Sequence, residues 1–267
     1  MSPERASEDR VCDLRSPTLF PFAPALVCQS WCNVLACSPH YWDRLILYAD
    51  EDSPALVGAL SWSKDRPLNI LIASRISDLT EGKQVLENQR TGFIIDALMP
   101  HIHRCRKITF SVLYASSLPS LASIFNQNPV DLIDLTFEIH FDDIQKPLPF
   151  PENPDISCFP NTFFPKLERL SMNGRTFMDL GRSRPDLLKG LRADLELCIS
   201  QFKFSDKVED GYTVLEFIQY IKSMRGIYRL RLDNVDIPAE SPQDTRSGLI
   251  PNPHCLYLKV LRSITMS

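Results

Sequence analysis

LERLSMNG at residues 167–174 and IYRLRLDN at residues 227–234 share one arrangement, with apolar residues at positions one, four and six. These are Leu167, Leu170 and Met172 in the first stretch, and Ile227, Leu230 and Leu232 in the second. Earlier copies are Cys105, Ile108 and Phe110 in CRKITFSV, and Leu132, Leu135 and Phe137 in LIDLTFEI. A late copy is Leu261, Ile264 and Met266 in LRSITMS. A weaker one, around Leu191, Leu195 and Leu197 in GLRADLELCIS, has a register that the sequence does not fix. Such a unit cannot bury its apolar face alone, so copies must stack on one continuous core. The reading that follows is an α/β solenoid with a curved parallel sheet.

Amphipathic stretches precede several copies, as parallel strands require of their crossovers. Phe93, Ile94, Ala97 and Leu98 mark a helix ending near Pro100, ahead of CRKITFSV. YTVLEFIQYIKSM at 212–224 precedes IYRLRLDN, with Val214, Phe217, Ile218 and Ile221 as its buried stripe. LNILIA at 68–73, apolar and bounded by a turn, reads as the first strand of the sheet. Prolines at 147, 149, 151, 154, 160 and 165 predict a projecting loop, as do those between 236 and 253.

Upstream, residues 1–23 lack apolar periodicity and read as disordered or poorly packed. The segment from Pro24 to Cys37 predicts one helix, with Val27, Trp31 and Leu35 as an apolar stripe flanked by Cys28 and Cys32. After Ser38 and Pro39, a second short helical turn is expected to hold Tyr41, Trp42, Leu45 and Ile46. Residues 24–50 thus form a small helical module, followed by a solenoid over 51–267. No polar capping unit follows LRSITMS, so the solenoid is expected to be incomplete at its C-terminus.

The 267 residues are 44% hydrophobic, ample for a packed core, with a formal charge of −4. That balance argues against a nucleic-acid partner, which calls for a concentrated basic face. Eight scattered cysteines, no secretory start and no Asn-x-Ser/Thr acceptor indicate an intracellular protein, cytoplasmic or nuclear. The longest apolar runs are too short to span a bilayer, so no membrane partner is expected.

LVCQSWCNVLACSPHYWDRLILY, residues 26–48, resembles the second half of an F-box: Val27, Cys28, Trp31, Leu35, Ala36 and Trp42 match its apolar-V-C-x-x-W-x-x-L-A run and distal tryptophan. RPLNILI, MPHIHRCRKITFSV and GIYRLRLDNVDIP resemble phrases of the F-box and leucine-rich-repeat proteins expanded in mushroom-forming fungi. Together they cover most of residues 24–267. The first half of the F-box, with its Leu-Pro-x-Glu phrase, is missing or degenerate, since RSPTLFPFAPA stands before Leu26. The resemblance implies a leucine-rich-repeat-like solenoid behind an F-box-like module. It further implies a non-enzymatic substrate receptor that docks on the Skp adaptor of a Skp–cullin–F-box ubiquitin ligase and holds a protein substrate on its repeats. By that resemblance Val27, Cys28, Trp31, Leu35 and Trp42 form the F-box core or the adaptor contact. The alternative is a leucine-rich-repeat scaffold with no ligase role, and a remoter one is a hydrolase or metalloenzyme.

Arg169, Ser171 and Asn173, then Arg229, Arg231 and Asp233, alternate with the core residues of their strands and are expected on the concave face. They are the candidate partner contacts, although solvation alone also demands polar residues there. Cys28, Cys32 and Cys37 have no second pair of the kind zinc sites use, and read as buried helix-face residues. His101, His103 and Cys105 would share one side of an extended segment, yet the apolar role of Cys105 favours a repeat edge. Asp142 and Asp143 are adjacent, so a strand would point them to opposite faces, unlike a catalytic pair. No phosphate loop, G-x-S-x-G elbow or H-E-x-x-H motif is present, and no cofactor is expected.

Overall fold

The computed structural model describes residues 22–25, 27–50, 54–75, 82–119, 124, 129–143, 164–191, 194–205, 211–224, 226–236 and 259–261. Its eight strands are β1 (Arg44–Tyr48), β2 (Leu68–Ala73), β3 (Cys105–Tyr114), β4 (Asp134–Phe141), β5 (Arg169–Asn173), β6 (Leu195–Lys203), β7 (Ile227–Asp236) and β8 (Lys259–Leu261). All neighbours are parallel, and the order across the sheet is the order along the chain. The helices are α1 (Phe22–Ala25), α2 (Gln29–Ala36), α3 (Pro54–Trp62), α4 (Lys83–Leu98), α5 (Gly174–Ser183), α6 (Pro185–Gly190) and α7 (Val214–Ser223). The chain is therefore α/β with an all-parallel sheet.

One rung runs through seven strands: Leu45, Ile70, Ile108, Leu135, Leu170, Leu197 and Leu230 are partners in register, and all are buried. Ile108, Leu135, Leu170 and Leu230 are the fourth-position residues of the sequence phrases, and Leu197 sets the register left open in GLRADLELCIS. Two residues further on, Phe110 and Phe137 stack at 5.2 Å. The rungs share one core with Leu60, Ile94, Leu98, Phe177 and Phe217 of the helices, so the helices cover this side of the sheet.

The edges of the helices are fastened by polar groups. Trp42 lies edge-on to Trp62 at 4.8 Å and donates from Nε1 at 2.8 Å to the Leu35 carbonyl, which also accepts from the Ser38 N–H, in the last turn of α2. Buried Arg104 donates to the carbonyls of Leu60 at 2.6 Å and Arg66 at 2.8 Å, placing a cation at the end of α3. Glu87, buried on α4, accepts from the backbone N–H of Leu113 at 2.9 Å and Tyr114 at 3.0 Å, and from the Ser117 hydroxyl at 2.7 Å. These bonds tie α4 to the end of β3.

Several expectations need correction. Leu45 and Ile46 belong to β1, not to a helical turn, so LNILIA is the second strand. RLILY is too short for its period to separate helix from strand, and pairing with β2 decides it. The boundary expected at residue 50 consequently falls inside one continuous sheet. The single helix expected over Pro24–Cys37 is divided, because Cys28 takes an extended backbone ahead of α2. Ile218, expected in the buried stripe of its helix, is exposed, while its neighbour Phe217 is buried. His101 and His103 lie in a 3-10 turn, Met99–Arg104, not in an extended segment. Ile264, Met266, residues 1–21 and most of both proline-rich loops lie outside the described residues.

Candidate interaction surfaces

The face of the sheet opposite the helices carries an alternating ladder of charge. Lys107, Asp134, Arg169, Glu196 and Arg229 are successive register partners on β3 to β7. Asp134 is bridged by Lys107 at 3.0 Å and Arg169 at 3.4 Å, and Glu196 by Arg169 and Arg229, each at 3.5 Å. Arg169 and Arg229 are exposed, as expected, but each is engaged by a neighbouring strand. Adjacent opposite charges compensate one another, so this row offers a partner directed hydrogen bonds and no single-sign field.

The ladder was legible. Each member immediately precedes the fourth-position apolar residue of its phrase, and the sign alternates from copy to copy. Reading the phrases separately concealed Lys107, Asp134 and Glu196, because the pattern exists only between copies.

The next outward row is Thr109, Thr136, Ser171, Cys198 and Arg231. Exposed Arg231 bridges Asp233 at 2.7 Å, and that carboxylate raises the pKa of its guanidinium. Burial pushes the Cys198 thiol up, and its Sγ lies 3.5 Å from Asp233. Ser171 is half-buried. Asn173 is not a surface contact: it is 2% exposed, and its Oδ1 accepts from the Thr176 N–H at 2.6 Å as the N-cap of α5. β5 ends at this residue, so strand alternation no longer governs its side chain. At the β1–β2 edge the same face is apolar, with Ile46, Leu71 and Ala73 forming a small separate cluster.

A second surface is α2. Trp31 and Val34, 54% and 64% exposed, lie three residues apart on the outward side of α2, and Val27, 70% exposed, and exposed Cys28 precede the helix. Leu35 and Trp42 are buried. The F-box-like residues therefore divide into an outward group (Val27, Cys28, Trp31) and an inward pair, where one apolar stripe was expected, and the cysteines expected to be buried are not: Cys28 and Cys37 are exposed and Cys32 is half-buried. The segment pattern cannot tell a stripe facing the core from one facing outward.

The remaining constellations are dispersed. Cys105 is buried, its thiol pushed up to about 12 by loss of solvent, and His101 is shifted down by burial and by Arg104 and His103. Asp142 bonds Arg175 at 2.6 Å, whereas Asp143 accepts from the Ser116 N–H at 2.9 Å, so the adjacent acids serve different elements. Among the described residues no three His, Cys, Asp or Glu side chains gather as a metal site would need, and no helix is long and apolar enough to cross a membrane. No family model, curated protein or solved structure matches the chain.

Proposed function

We propose that the chain is a non-enzymatic protein-binding module, an irregular leucine-rich-repeat-like solenoid acting as a substrate receptor of a Skp–cullin–F-box ubiquitin ligase. The observation that carries this reading is the exposed pair Trp31 and Val34 on α2, with exposed Val27 just ahead of the helix, within the F-box-like phrase and beside a buried Trp42 that fixes the helix. Exposed aromatic and aliphatic side chains grouped together mark docking sites in soluble domains. The sheet face bearing Arg169, Ser171, Arg229, Arg231 and Asp233 would then receive the protein substrate. Sequential parallel strands with helices covering one side suit such a role because they present a broad ledge of side chains at regular spacing on the other.

The test is calorimetric titration of the full chain with a Skp-type adaptor. Saturable binding is expected, and Trp31→Asp should abolish it while leaving the thermal transition in place, because Trp31 is exposed. Absence of binding by the wild-type chain removes the ligase role. A protein-binding scaffold is the second reading, favoured by the ladder from Lys107 to Arg229, which is independent of α2.

A further inference from the structure

β5 stops at Asn173 and turns directly into α5, while β4 continues to Phe141, β6 to Lys203 and β7 to Asp236. Neighbouring strands lie about 4.8 Å apart, so loss of one strand separates the next two by about 10 Å. At this end of the sheet is a cavity of about 600 Å³, lined by residues that include His140, Asp142, Arg175, Phe202, Lys203 and Asn234. It lies at the carboxyl ends of the parallel strands, and its volume suits a small molecule.

Three independent features indicate what the cavity takes. Arg175 donates from Nε to Asp142 at 2.6 Å, but its Nη1 is buried and has no acceptor. A buried donor left unpaired is unfavourable, and a bound acceptor would satisfy it. In the wall, Gln201 and Asn234 both take left-handed backbones, with φ of 50° and 53°, between the same register pairs, Ser200–Asp233 and Phe202–Val235. Such conformations are uncommon outside glycine and redirect side chains locally. Finally, a Cβ on Gly174 would overlap Cβ and Cγ of Phe202, so glycine lets that ring form the cavity wall beside α5.

The geometry points to a binding site for a small organic oxyanion, with a carboxylate or phosphate head on the Arg175 guanidinium and an apolar body against Phe202 and Ile139. Arg175 and Lys203 are balanced by Asp142 and Asp236, so recognition rests on directed donors and not on net charge. The site is independent of the adaptor reading. Titration of the full chain with phenyl phosphate and with benzoate should show saturable binding of at least one, the tighter naming the head group. Arg175→Gln should weaken it at least about tenfold, the loss of one charge-assisted contact. In the wild-type chain, the bound probe should shift the backbone amide resonances of Gln201, Phe202 and Asn234, a readout that needs no variant to fold. Binding of neither probe at millimolar concentration, shifts confined elsewhere, or an Arg175→Gln chain that binds as wild type would overturn the assignment.

Discussion

Arg182 of α5 donates two hydrogen bonds to Oε1 of Glu216 on α7, from Nη2 at 2.9 Å and Nε at 3.2 Å. Both side chains are nearly enclosed, at 5% and 13% exposure. The other carboxylate oxygen of Glu216 accepts from the Thr213 N–H at 2.9 Å, closing a capping box at the start of α7. Arg182 also bonds the Gly211 carbonyl at 3.1 Å and stacks over Tyr212 at 4.1 Å. One ion pair thus fastens two successive crossovers and starts the second.

Glu216→Ala would leave the Arg182 guanidinium buried without its carboxylate and remove the cap. The expected cost is about 3–5 kcal/mol in urea denaturation, the range for breaking one side of a buried pair. A loss under about 1 kcal/mol, typical of an exposed pair, would contradict the enclosure described.

Leu170 and Leu230 occupy one rung on either side of Leu197. Truncating either to alanine should cost about 2–5 kcal/mol. Both flank Leu197, so the double variant should depart from the sum of the single losses through that shared neighbour. A loss under about 1 kcal/mol for either single variant in chemical denaturation would indicate a different register.

Gly181 sits inside α5, where helix propensity alone would make Gly→Ala stabilising by about 1 kcal/mol. A Cβ there would instead overlap the ring of Tyr220 on α7. Gly181→Ala should therefore destabilise by about 1–3 kcal/mol, and Tyr220→Ala in the same chain should relieve most of that loss. Thermal melts of the two single variants and the double variant decide the sign.

Burial raises the Cys105 thiol from 9.0 to about 12, so the native chain holds that proton more tightly than the unfolded one. Its stabilising contribution is complete below pH 9 and disappears as the pH rises toward 12. At pH 8, iodoacetamide should modify exposed Cys28 and Cys37 in the native chain and reach Cys105 only after denaturant is added. Mass mapping of the alkylated peptides checks this, and prompt native labelling of Cys105 would refute its burial.

The strands with the alternating phrase were readable because Leu135, Leu170 and Leu230 each recur in the same local frame, and a parallel sheet turns that frame into a rung. β1 was not, since five apolar-rich residues from Arg44 to Tyr48 carry too little period to separate strand from helix. Asn173 reads as outward by alternation, yet the strand ends on it and its side chain is spent on a helix start. Neither the outward pair on α2 nor the cavity beside Arg175 has a linear signature: one depends on where the core lies, the other on a strand that ends early.

Because each strand of this sheet is bonded only to its sequence neighbours, no edge-to-edge clamp shares a mechanical load among all eight. Stretched between its ends in an optical trap, the sheet should unzip strand by strand in a series of small force steps, not in one rupture.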